Sequence, residues 1–155
     1  MRWGGLVALA CVGCIDTDAA VFVEAALASP ALVMSSSSLA AGVSGEATLS
    51  LHLGPRASGP STAKVLALSL VSADGVTTHA ATLGFSSTPT LPLTVGVDDT
   101  VAVALALASS DNALPTDKVA AICGGAVRLR VVVDDSLRGG SVSADSDPFQ
   151  VTGCP

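Results

Sequence analysis

The segment "EATLSLHL", residues 46 to 53, sets Leu49, Leu51 and Leu53 against Thr48, Ser50 and His52 in strict alternation. A period of two puts successive side chains on opposite faces of an extended chain, so the stretch is a strand with one buried and one wet face. On a helix the same leucines would scatter around the cylinder. The pattern recurs: "TVAVALALASS" alternates Val101, Val103, Leu105 and Leu107 with alanine, and "AVRLRVVVDD" sets Val127, Leu129, Val131 and Val133 opposite Arg128 and Arg130. The two arginines read as a solvated strand face. "AKVLALSLVSA" offers two phases, Val65 with Ala67 or Leu66 with Leu68 and Leu70, and both faces are apolar, as in a central strand. "AVFVEA", "ALVMSS", "VTTHAATLGF", "TLPLTV", "GSVSA" and "FQVTG" complete a set of about eight to ten short strands.

Turn chemistry separates them. Gly54-Pro55, Gly59-Pro60-Ser61, Asp74-Gly75, Thr88-Pro89, Asp98-Asp99, Asp134-Asp135-Ser136 and Gly139-Gly140 all fall between apolar runs. Asp74-Gly75 between apolar runs is a specific hairpin signal. The exception to the β pattern is "LPTDKVAAICGG", where Thr116 can N-cap a helix of one or two turns that Gly124 ends. Many short strands and one crossing helix predict an all-β fold, an immunoglobulin-like antiparallel β-sandwich over residues 20 to 155.

The chain has 155 residues, half of them hydrophobic, which suffices for one domain with a real core. Its formal charge is -6 and it contains no Lys/Arg cluster, so nucleic acid and anionic headgroups are poor partners. Tyrosine is absent and the only tryptophan is Trp3, which leaves little with which to build a stacking platform for bases or sugars.

At the N-terminus, Arg2 precedes an apolar and glycine run from Trp3 to Val12, too short to cross a membrane as a helix. It ends in Cys11-Val-Gly-Cys14, literally a C-x-x-C. A redox motif of that kind opens a helix after a strand, and a zinc site needs a second ligand pair; neither context follows. Charge, apolar run and small residues are instead the grammar of an export signal. Here the chain resembles bacterial lipoproteins: Val12-Gly13-Cys14 fits the lipobox, with Cys11 standing where that family usually has leucine. The resemblance implies a signal peptide over residues 1 to 13, a modified Cys14, and a short tether over 14 to 19. Cys11, after Leu9-Ala10, is the alternative acceptor, but it would shorten a signal that is already brief.

Lipoprotein sorting keeps proteins with aspartate directly after the modified cysteine in the inner membrane. Ile15 holds that position, so the resemblance implies the outer membrane, on either leaflet, with palmitate-type chains as the anchor. Acylating Cys14 and removing Cys11 leaves Cys123 and Cys154 as an even pair, which an oxidising compartment would join in a disulfide. The whole chain looks like a small lipoprotein of Gram-negative bacteria, a resemblance that brings no activity with it.

Catalytic signatures are missing. There is no G-x-S-x-G, no phosphate-cradling loop and no zinc motif, and His52 and His79 stand apart from any nucleophile signature. Aspartates at strand ends, Asp98, Asp99, Asp134, Asp135, Asp145 and Asp147, form a constellation that loops at one pole of a sandwich can offer to calcium; turn formation explains them as well. An outer-membrane barrel would carry aromatic girdles, which this composition cannot supply. The expectation is therefore a non-catalytic lipoprotein without cofactor, acting as a structural, adhesive or protein-binding envelope module on an envelope or surface protein. The alternatives are a calcium-steadied adhesion module and a secreted hydrolase with a dispersed site.

Overall fold

The computed structural model describes residues 19–36, 41–80, 82–109 and 114–155. Among the described residues nine strands and one helix follow in order: β1 (Glu24–Ser36), β2 (Ala41–Leu53), β3 (Ser61–Ser72), β4 (Thr78–Ala80), β5 (Leu83–Thr88), β6 (Leu93–Val95), β7 (Asp99–Ser109), α1 (Thr116–Cys123), β8 (Val127–Asp135) and β9 (Gly140–Asp145). One sheet has the order β1-β2-β7-β5, the other β4-β3-β8-β9, with β6 also paired to β3. Every strand pairing is antiparallel. The first, second, fifth and fourth long strands in one sheet, facing the third, sixth and seventh in the other, give the order of an immunoglobulin-like sandwich.

The core is what the alternation demands. Leu49, Leu51, Leu53, Val103, Leu105, Val127, Leu129, Val131 and Val133 are all within one percent of complete burial. The two phases of β3 are both used: a bulge between Val65 and Ala67 takes up one residue, so Val65 points in before it and Leu68 and Leu70 after it. Leu66, at the bulge, is left 51% exposed. A bulge adds one residue to one strand of a pair and so switches the inward phase.

Several local expectations are revised. "ALVMSS" and the last two residues of "AVFVEA", Glu24 and Ala25, belong to one long β1, interrupted by a bulge at Ser29-Pro30 where Ser29 has φ 52°, whereas residues 20 to 23 are the chain entry and not a strand. Thr116 does not cap α1; it is the first helical residue, and Pro115, extended at ψ 148°, precedes it without a side-chain cap. Proline suits that boundary because it has no N–H to leave unsatisfied. Gly124 ends the helix as expected, its N–H bonded to the Ala120 carbonyl. "FQVTG" is a tail rather than a strand. It touches β8 through Phe149 and Val127 and β1 through Thr152 and Val33, so it stitches the two sheets together.

Candidate functional site

Three surfaces of the sandwich bear on function: the outer face of each sheet, and the pole where the chain enters the domain. The outer face of β1-β2-β7-β5 is built from the polar phase of the alternating strands. Its rows run Ala26, Ser50, Ala102; then Ala28, Thr48, Ala104, Thr88; then Ala31, Glu46, Ala106, Ser86. Small side chains keep this face close to the backbone, and Glu46 is the one charge in its middle. Glu24 lies at its end, opposite His52, whose Nδ1 is 2.8 Å from the Thr100 hydroxyl.

A shallow cleft of 350 Å³ opens on this face between Ser29, Glu46, Thr48, Ser86, Thr88 and the alanines of β7. The bulge in β1 makes its wall, and Gly45 permits the bulge. A Cβ on Gly45 would overlap the Ala31 carbonyl oxygen and stand 2.9 Å from the Leu32 Cα. Two backbones approach there as only glycine allows.

The outer face of the second sheet is charged and tied down. Arg130 makes a two-pronged contact with Asp145, each N···O distance 2.6 Å, and reaches the Gly75 carbonyl at 3.1 Å. Arg128 donates to the carbonyls of Ala73 at 2.7 Å and Ser146 at 2.8 Å. The arginines do face outward, but they are not merely solvated: they hold the Asp74-Gly75 hairpin against the sheet. Nothing in the alternation announces this, since the hairpin carbonyls they reach, Ala73 and Gly75, are each 55 residues away in sequence. The Arg130 guanidinium beside Asp145 outweighs partial burial and holds that carboxyl below the usual carboxylate range.

The six aspartates do not meet. Asp98 and Asp99 lie in and after the β6–β7 turn, and Asp134 and Asp135 end β8, all at one pole. Asp145 and Asp147 lie toward the other, because β9 runs antiparallel to β8. Asp99 accepts its neighbour's Thr100 N–H at 2.8 Å, and Asp134 sits opposite Lys64. Among the described residues no group of three potential metal-ligating side chains comes together. The six therefore do not share one pole of the sandwich.

Asp135 has a different task. It is completely buried, and its Oδ2 accepts the Val23 N–H at 2.9 Å while its Oδ1 accepts the Ser61 hydroxyl and the Leu137 N–H, the latter at 3.0 Å. Burial pushes this carboxyl up, but the Ser61 hydroxyl and the N–H groups of Val23, Leu137 and Arg138 together outweigh it and hold the pKa below the ordinary value. The result is a charged knot joining the chain entry, β3 and the β8–β9 turn.

The sulfurs of Cys123 and Cys154 stand at disulfide distance, 2.06 Å, with their Cα atoms 5.7 Å apart. The link joins the end of α1 to the stitching tail rather than to a last strand. Cys14 lies outside the described residues, as do residues 1 to 13, expected to be a signal peptide, and most of the segment 14 to 19, expected to be a tether. His79, on β4, is not joined by any described cysteine or carboxylate into such a ligand group. Comparison of the chain with protein families, with curated proteins and with solved structures finds no match.

Proposed function

We propose that the protein is an exported, non-catalytic envelope module, anchored in the outer membrane by acyl chains on Cys14 and closed by the Cys123–Cys154 disulfide. Its work is contact with another envelope protein through the outer face of β1-β2-β7-β5. The observation that carries this reading is the make-up of that face: rows of alanine, serine and threonine around Glu46, whose short side chains let another surface approach the sheet closely. Small side chains lose little conformational freedom on contact, so such a face loses little entropy when covered. The lipobox at Val12-Gly13-Cys14 and the even cysteine pair support export.

Two measurements test the reading. Intact-mass spectrometry of the protein expressed from Met1 in a Gram-negative host should give a chain that begins at Cys14, carries acyl chains and lacks two hydrogens. A photo-crosslinking residue at position 104, on the alanine-rich face, should give a discrete envelope adduct that the same residue at position 132, on the charged face, does not. Equal adducts from both positions, or none from either, would remove the assigned contact face.

A further inference from the structure

Four segments gather at one pole of the sandwich: the chain entry at residues 19 to 23, the β2–β3 loop, the β6–β7 turn and the β8–β9 turn. The register fixes this, since Glu24 pairs with His52, Leu53 with Asp99, Ser61 with Val95, and Ala63 with Asp135. Val21, Phe22 and Val97 stand out of this pole with 42%, 37% and 41% of their surface exposed. The Arg138 guanidinium lies 4.9 Å from the centre of the Phe22 ring. An aromatic ring with a cation at its face suits a boundary between apolar and wet surroundings.

We infer that this pole rests on the lipid surface to which the chain is tethered, with Val21, Phe22 and Val97 in the headgroup layer. The inference rests on the acylation of Cys14 proposed above. Ala20 and Val23 are buried in the domain, and Val23 is pinned by Asp135. Six residue steps from Cys14 to Ala20 span at most about 20 Å. The 13-residue β2 gives the domain a length of roughly 40 Å. So short a tether cannot raise the entry pole far enough to bring the opposite pole, with its Asp74-Gly75 hairpin, onto the bilayer. The domain either stands on the entry pole or lies on its side, and the three exposed apolar side chains favour standing, because only that pose takes them out of water.

Charge defines the lipid. Glu24, Asp98, Asp99, Asp134 and the buried Asp135 lie at this pole with Arg56, Lys64 and Arg138, an acidic excess from which anionic headgroups gain nothing. The partner is a zwitterionic lipid surface, and the contact is insensitive to salt.

The test uses the acylated protein with one added thiol, from Val97→Cys at the entry pole or Val76→Cys at the opposite one, labelled with bimane. Val76 is 80% exposed, so both substitutions are at surface positions. The proteins are inserted in vesicles of phosphatidylethanolamine and phosphatidylcholine with or without brominated acyl chains. The label at position 97 should lose about half of its emission to brominated lipid and the label at position 76 none, since headgroup-layer residues lie within reach of the chains. Adding Phe22→Ser to the Val97→Cys protein should reduce the loss. Equal loss at both positions, or none at either, on a chain whose mass shows acylation overturns the docking and leaves the tether standing. A mass without acyl chains overturns the tether and the docking with it.

Discussion

The carboxylate of Asp135 accepts the backbone N–H of Val23, 112 residues earlier in the chain, at 2.9 Å. This bond fixes where the first strand enters the sandwich. Replacing Asp135 by alanine strands the buried Val23 N–H, while the Leu137 N–H keeps the Ser61 hydroxyl oxygen at 3.2 Å and the Ser61 hydroxyl keeps that of Ser136 at 3.1 Å. At about 1 to 3 kcal/mol for a donor left unsatisfied, urea unfolding should show a loss in that range. Asp135→Asn, which keeps one acceptor oxygen, should lose less. Equal losses would show that shape rather than acceptance holds the entry.

The same carboxyl makes stability depend on acid. Its folded pKa lies below the unfolded value of 3.8. A depressed carboxyl contributes stability that is fully present above the unfolded pKa and is lost as pH falls through the folded one. Melting temperature should therefore stay level from neutral pH down to the ordinary carboxylate range and fall below it. Asp135→Asn should flatten part of that acid limb, in proportion to this one group among several depressed carboxyls. An unchanged limb in Asp135→Asn would assign the acid loss to Asp74 and Asp145.

Reduction of the Cys123–Cys154 link should be costly because it releases the tail that touches both sheets. The two residues are 31 apart in sequence. Closing a loop of that size restricts the unfolded chain by roughly 3 to 4 kcal/mol in the chain-entropy description. Denaturant unfolding of the Cys123→Ser, Cys154→Ser double variant should show that loss in the midpoint. A loss below about 1 kcal/mol would mean that the backbone bonds of Thr152 and Phe149 alone hold the tail.

Two glycines should resist substitution for different reasons. Gly45→Ala meets the Ala31 carbonyl and the Leu32 backbone across the β1 bulge, so either the bulge shifts or the strand pair opens. Gly153→Ala combines a φ of 70° with a Cβ placed 2.7 Å from the Met34 carbonyl oxygen. Each should destabilise by about 2 kcal/mol or more, read by thermal melting. Gly59→Ala, with open space at its Cβ, is the control and should stay within about 0.5 kcal/mol of the parent.

Arg130→Ala should loosen the hairpin more than the fold. The exposed pair with Asp145 is worth under about 1 kcal/mol, but loss of Arg130 also frees the Gly75 carbonyl. Hydrogen exchange at Val76 and Thr77 should quicken several-fold while that at Leu129 and Val131 holds. A uniform change across the second sheet would assign Arg130 to global stability instead.

Alternation by itself determined the class of this protein. Once Leu49, Leu51 and Leu53 must face one way and Thr48, Ser50 and His52 the other, a half-buried strand is the only consistent backbone, and several such strands need a second sheet to cover them. Turn residues separated those strands, and the Asp74-Gly75 hairpin and the Gly124 stop were legible because they depend on local backbone preference. The sequence also carries the Val12-Gly13-Cys14 motif on which the proposed anchor rests. What only the tertiary structure decided were relations between distant residues. The bulges at Leu66 and at Ser29-Pro30 add a single residue, and periodicity cannot say in which of two phases a strand is read. The aspartates separated to two poles because strand direction, not sequence spacing, sets where a strand end lies. Asp135, one of the six strand-end aspartates singled out above, became a buried anchor because folding brought Val23, Ser61 and Leu137 around its two oxygens.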